Sequence, residues 1–267
     1  MPPGELTDAR LELHHAAQIV SAAGITHLPP AGDDSHTNME WAPALRALAG
    51  RPAGKSKSFR LAVRPEGLEL LLLDADCRQR DERTLFGATI GEAYDWAAGT
   101  IAGATGMERS ALIRPSWMIP ELCHERFSGE DAPALDELAR WYADAAHVLA
   151  GVAASFDGAS DVRCWPHHFD IAILLPGGGP GRTVGVGLSP GDEAYREPYW
   201  YVSPYPRPED PAVSPLPNGG RWHRDGFFAA VLTGGDLVSG GADASQELRT
   251  RAFLDAAIAD CVKILRG

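Results

Sequence analysis

Residues 163–203 read RCWPHHFDIAILLPGGGPGRTVGVGLSPGDEAYREPYWYVS. The apolar run at 169–175, the glycine-rich break at 176–181, the second run at 183–188, the turn Ser189-Pro190-Gly191-Asp192 and the third run at 197–203 mark three short strands with tight connections. Tight connections make antiparallel neighbours, so the stretch specifies a meander. The glycine loop joins two strands and has neither a following helix N-terminus nor a Lys-Ser/Thr ending, which excludes the phosphate-loop and dinucleotide fingerprints. No Gly-x-Ser-x-Gly elbow occurs either.

Outward from the meander, hydrophobic spacing predicts helices over 8–23, 90–102, 131–156 and 244–265. Gly24 reads as the stop of the first, and Thr89-Ile90-Gly91-Glu92 is a capping box for the second. Leu135, Leu138, Tyr142, Ala145, Leu149, Val152 and Phe156 give the third an apolar stripe, and Asp243-Ala244-Ser245-Gln246 opens the fourth. A hairpin folds at Pro65-Glu66-Gly67, with alternating residues before it and a leucine run after it. A short helix is expected over 42–49, after an irregular loop at 27–41. A basic loop follows around Lys55 and Lys57, with solvated loop at 74–83, a strand or an extended crossing at 112–119 and a last strand at 221–232 bent at Gly226. The fold class is therefore α+β, a mostly antiparallel sheet or sheets covered by helices. The chain reads as a single domain over 1–267, with similar α-β halves at 1–120 and 121–267 as the alternative, because each half runs helix, histidine-bearing loop, then hairpin.

Acids outnumber bases 36 to 24, giving a net charge of −12, and this argues against nucleic acid as a partner. No stretch approaches a membrane span and the first dozen residues lack an apolar signal core, so no membrane partner and a cytoplasmic location are expected. Cys77, Cys123, Cys164 and Cys261 form no Cys-x-x-Cys pair, so each reads as a small buried hydrophobe. The Cys123-His124 dipeptide is weak evidence for a nucleophile and base, since neighbours in extended chain point apart. His14 and His15 share a helix but diverge by about 100°, which favours packed or solvated roles over joint ligation.

The most chemically loaded segment is Trp165-Pro166-His167-His168-Phe169-Asp170. If strand alternation runs through it, His168, Asp170, Gly185, Gly187, Glu197, Tyr199 and Tyr201 share one face of the meander. Glycines there would leave a low floor beside aromatic walls, so Glu197, Tyr199 and Tyr201 are candidate ligand-binding residues. His168-x-Asp170 followed by His223 also has the order of a two-histidine, one-carboxylate site for a divalent transition metal, Fe or Zn. The plainer alternative gives the histidines and Asp170 only structural hydrogen bonds. Residues 204–220 are proline-rich and are expected to form an ordered loop over or beside this face.

Trp165, Phe169-Asp170, Ser189-Pro190-Gly191-Asp192-Glu193, Tyr195, Glu197-Pro198-Tyr199-Trp200-Tyr201-Val202 and Trp222-His223 resemble the shared positions of a bacterial family of conserved hypothetical proteins, a domain of unknown function. The resemblance spans the chain from the Leu13-His14-His15 helix to the Trp222 segment and implies one folded domain, with no activity attached. The residues themselves suggest a small-molecule enzyme, metal-assisted if the triad assembles, with a non-catalytic ligand-binding or interaction domain as the alternative. Glu193 and Glu197 as a metal-free acid–base pair rank last, because four residues of extended strand separate carboxylates by about 13 Å.

Overall fold

The computed structural model describes residues 1–54, 58–117, 119–122, 124–129, 131–239 and 243–267. Lys55, Lys57, Cys123 and the side chain of Asp243 lie outside the described residues. The fold is α+β, and strands pair antiparallel within each of two compact units. One unit holds residues 6–143 and 163–169 with Met1; the other holds 2–5, 144–162 and 170–267, so the partition interleaves the chain. Among the described residues no helix is long and apolar enough to cross a membrane.

The first unit begins with α1 (Thr7–His27), longer than its apolar spacing predicts. Gly24 does not stop it: the His36 carbonyl oxygen lies 2.3 Å from where a Cβ would stand, so glycine here permits a close backbone approach. The expected helix at 42–49 is instead a hairpin of β1 (Met39–Ala42) and β2 (Ala47–Gly50), with Arg46 at φ +49° in its turn. Ala47, Leu48, Ala49 and Gly50 are all buried, and burial on both faces overrides the helix propensity of alanine and leucine. The leucine hairpin is β3 (Phe59–Arg64) and β4 (Glu69–Asp74), closed through Gly67 at φ +73°. The charged run at 74–83 is largely a strand, β5 (Gln79–Thr84), at the sheet edge. Backbone pairing with β4 holds it, with Arg64 donating to Gln79 at 3.0 Å and Arg80 to Asp74 at 2.8 Å, and its exposed charges discourage another strand from adding.

Helix α2 (Ile90–Thr105) starts in the capping box, where Thr89 Oγ1 accepts from Glu92 N at 3.1 Å and Thr89 N donates to Glu92 Oε2 at 2.7 Å. The described residues of 112–119 form no strand. Helix α3 (Ala132–Ala153) buries Leu135, Leu138, Ala139 and Tyr142 in this unit. Strand β6 (Arg163–Trp165) pairs with β1 at Met39–Cys164, giving the order β6-β1-β2-β3-β4-β5. Beside it Glu40 receives Arg60 at 2.6 Å and Arg163 at 2.5 Å. Partial burial opposes the charge of Glu40, yet the two guanidinium groups outweigh it and hold the carboxyl below the usual range.

In the second unit the meander is β7 (Asp170–Pro176), β8 (Thr183–Ser189) and β9 (Tyr199–Tyr205). The third strand starts later than expected, since Pro198 has no N–H to give a ladder and Glu197 is turned elsewhere. The segment at 221–232 is a hairpin rather than one bent strand: β10 (Arg221–His223) and β11 (Ala229–Thr233) pair around Gly226 at φ +74°. The order is β10-β11-β9-β8-β7. A short α4 (Gly234–Val238) follows, then α5 (Asp243–Arg266), which lies against β8, β9 and β11 and buries Phe253, Leu254, Ala257, Ile258 and Cys261. Burial pushes the Cys261 thiol up to about 12, so it behaves as a small hydrophobe. Cys77 does not: it is half-buried at φ +58° and takes a hydrogen bond from Arg60 at 3.3 Å.

The proline-rich segment is anchored on α5. Ser214 donates to Asp260 through its amide at 2.8 Å and its hydroxyl at 3.1 Å, and Asn218 Nδ2 donates to the Arg249 carbonyl at 3.0 Å. A Cβ on Gly220 would stand 2.6 Å from the Phe253 ring. Arg207 Nη1 also donates to the Gly226 carbonyl at 2.5 Å, and Arg224 donates to Asp210 at 2.8 Å and to the Pro211 carbonyl at 3.1 Å. Of the expected positions over or beside the polar face, these contacts give the second: the segment lies on α5 and beside the β10–β11 turn that follows His223.

Candidate functional site

Register in the second unit defines the two sheet faces. Ala172 pairs with Gly187 and Gly187 with Tyr201, while Ser189 pairs with Tyr199 and Leu174 with Gly185. Alternation then puts Asp170, Ala172 and Leu174 with Ser189, Gly187 and Gly185 and with Tyr199, Tyr201 and Ser203. Continuing across, Tyr199 pairs with Thr233, Tyr201 with Val231, Val231 with Arg221 and Ala229 with His223. His223 and Arg221 therefore share the face of Asp170, Tyr199 and Tyr201. On the opposite face Ile171, Ile173, Val184, Val186, Leu188, Trp200, Val202, Ala230 and Leu232 are buried and Trp222 is half-buried.

On the polar face Tyr195, Tyr199, Tyr201 and His223 each have a defined polar partner. Tyr201 Oη donates to Asp170 Oδ2, and its ring lies across Gly187, where a Cβ would meet Tyr201 Oη at 2.7 Å. The glycine is thus filled by the neighbouring phenol and is not a vacant floor. Tyr199 Oη donates to Asp192 Oδ2 at 2.5 Å, and Asp192 Oδ1 takes the amides of Ala194 and Tyr195 at 2.8 and 2.9 Å. Burial, then the Asp192 carboxylate, push the Tyr199 phenol far up, so it stays a donor. Tyr195 stands 4.9 Å from Tyr199, ring to ring, and 5.5 Å from His223; His223 stacks on Phe227 at 4.0 Å.

His223 makes two hydrogen bonds, and together they assign its tautomer. Its Nε2 lies 2.5 Å from the Asp225 carbonyl oxygen, which can only accept, so Nε2 carries the proton. In the neutral ring Nδ1 is then the acceptor, and Tyr195 Oη donates to it at 2.9 Å. The Arg221 guanidinium lies 5.3 Å from the centre of the Tyr195 ring and pairs with Asp236 at 2.6 Å. A phenol, a base and a group orienting the base are thereby in sequence.

The remaining candidates fall elsewhere. Glu197 Oε2 accepts from Gly235 N at 2.5 Å, at the start of α4, and does not contribute to the aromatic face. His168 is exposed in a turn that ends before β7 begins, and Phe169 at φ +59° interrupts the alternation that was expected to carry His168 onto the strand face. Both nitrogens of His223 are engaged and Asp170 holds Tyr201. Among the described residues no three His, Cys, Asp or Glu side chains are grouped to hold a metal ion. The His168, Asp170 and His223 triad for Fe or Zn is therefore not assembled here.

The Trp165–Phe169 turn serves the first unit as a packing centre. Phe169 N donates to the Trp165 carbonyl at 2.7 Å, and the Phe169 carbonyl accepts from Tyr142 Oη at 2.6 Å. Two side chains of α1, His14 through Nε2 at 2.7 Å and Gln18 through Nε2 at 2.8 Å, donate to the Pro166 carbonyl. His14 also stacks on Phe169 with centroids 4.7 Å apart and planes 3° apart. Burial lowers the His14 pKa to about 4.

The sign of the resulting pH effect follows. Unfolded His14 binds a proton below about 6.5 while the folded form refuses it down to about 4, so stability is lost as pH falls through that window and is constant below it. The loss is on the order of 3 kcal/mol. Burial also lowers His15 and His27, which adds loss of the same sign. Urea midpoints between pH 7 and 4 should therefore drop, and His14→Gln should flatten much of that slope; a slope unchanged by the substitution would contradict the assignment.

Sequence reasoning missed Tyr195, Asp192, Arg221 and Phe227. The signals were local: Asp192 sits in a Ser-Pro-Gly-Asp turn, and Arg221 and His223 are two apart on a strand. In comparisons with known proteins, no family model, curated protein or solved structure matches the chain.

Proposed function

We propose that the chain is a small-molecule enzyme whose reacting pair is Tyr195 and His223. The observation that supports this reading is the Tyr195 Oη to His223 Nδ1 hydrogen bond, with the far nitrogen held by the Asp225 carbonyl. Such an arrangement lets the phenol oxygen take a proton from a substrate hydroxyl while its own proton passes to Nδ1. The products of the step are a substrate alkoxide and an imidazolium, so no electrons change hands. Arg221 beside the Tyr195 ring favours negative charge on the phenol oxygen as it develops. Half-burial of both side chains leaves the oxygen approachable while limiting competing water.

An aryl sulfonyl fluoride tests the reading without knowledge of the substrate. It forms a sulfonate ester with a phenolate oxygen and releases fluoride, so it reports which tyrosine is activated. Tyr205 is 66% exposed and provides the internal control. Peptide mapping should show Tyr195 modified faster than Tyr205 despite its lower exposure. Modification in order of exposure, with Tyr205 first, would favour the non-catalytic binding domain.

A further inference from the structure

We infer that the ligand of this face is a neutral, polyhydroxylated small molecule, sugar-like or cyclitol-like, that donates a hydroxyl proton to Tyr195 Oη. The inference rests on the Tyr195–His223 reading and adds the substrate class. Three phenol protons on the face are committed, to His223 Nδ1, to Asp192 and to Asp170. A phenol whose proton is committed can only accept from a ligand, and since Tyr199 is buried and its oxygen takes the Ser189 hydroxyl, half-buried Tyr195 and Tyr201 are the two that can meet one. A ligand that brings donors is therefore recognised, and one that brings only acceptors is not.

Charge narrows the class further. Anions meet the carboxylates of Asp170 and Asp192 beside the same phenols, within a chain of net charge −12. A cation would have to share the Tyr195 ring with the Arg221 guanidinium, already 5.3 Å from its centre. Neutral hydroxyls pay neither cost. The C–H faces of a ring-shaped polyol also match half-buried aromatic rings, here Tyr195, Tyr201 and Phe227, which surround buried Tyr199, Ala229 and Val231. Hydroxyls reaching acceptors and C–H faces reaching rings make one consistent complement to this surface.

Protection from the sulfonyl fluoride provides the test, with myo-inositol, D-glucose and D-mannitol as neutral probes, choline as cation, and inorganic phosphate and citrate as anions. At least one polyol should slow labelling of Tyr195 severalfold and leave Tyr205 unchanged, and Tyr201→Phe should weaken that protection. If Tyr195 labels selectively but only choline, phosphate or citrate protects it, or no probe does, the substrate class is overturned while the reactive pair stands. If Tyr195 does not label selectively at all, the pair itself fails and the inference falls with it.

Discussion

Phe169→Ala should lower the stability of the protein by about 3–5 kcal/mol, the range for emptying a buried aromatic site. The side chain is 1% exposed, stacks on His14 and packs 5.3 Å from the Tyr142 ring. Its removal leaves a cavity where three elements meet: α1 through His14, α3 through Tyr142, and the turn itself. The backbone bonds at Pro166 and Phe169 lose their alignment along with the ring, since His14 and Tyr142 are positioned by it. His167, two residues away, is exposed and makes edge-on ring contacts with Trp117 and Trp165 and a tilted one with His168. His167→Ala should therefore change stability by less than about 0.5 kcal/mol. Urea titrations of the two variants check the contrast, and equal effects would show that the turn is not a packing centre.

Gly187→Ala should cost roughly 3 kcal/mol and disconnect Tyr201 from Asp170. A Cβ at this position would lie 2.7 Å from Tyr201 Oη, 2.8 Å from Ala172 Cβ and 2.8 Å from the Ile171 carbonyl oxygen. The last of these is backbone in a paired strand and cannot yield cheaply. Overpacking alone costs about 1–3 kcal/mol, and the displaced phenol leaves a half-buried carboxylate short of one partner. A crystal structure or Tyr201 ring resonances should show the ring rotated off Gly187. Gly185→Ala makes a useful comparison, because its nearest contact is the Ser203 hydroxyl at 3.1 Å, which can turn aside. A Gly187→Ala protein as stable as Gly185→Ala, with Tyr201 in place, would show that the phenol does not occupy that space.

Much of the architecture was legible in residue order. The meander, the leucine hairpin and the Thr89 capping box depend on contacts within a few residues, and local signals suffice for those. The failures share a cause in distant contacts. Residues 42–49 favour a helix by composition, yet they are enclosed by α1 and β3, and Gly24 and Gly50 make room for backbone or side chains from far along the chain. The edge position of β5 also cannot be read from its charges, which look the same in a solvated loop.

The candidate site divides similarly. Strand alternation is local, so the shared face of Asp170, Tyr199 and Tyr201 follows from counting once the strands are known. One residue at φ +59°, Phe169, ends that counting, and no composition signal marks a phenylalanine for the left-handed region. Tyr195 lies outside a strand and reaches His223 through the Asp192 turn, so neither alternation nor spacing could connect the two.

The most direct measurement is the rate of Tyr195 sulfonylation in His223→Gln relative to the unsubstituted protein, with Tyr205 as the reference in each. The amide of glutamine can occupy the space of the imidazole but cannot accept a proton at neutral pH. If His223 is the base for Tyr195, the Tyr195 rate falls by about tenfold or more while the Tyr205 rate does not change. Equal Tyr195 rates in the two proteins would contradict the account, because the hydrogen bond between them would then be structural only.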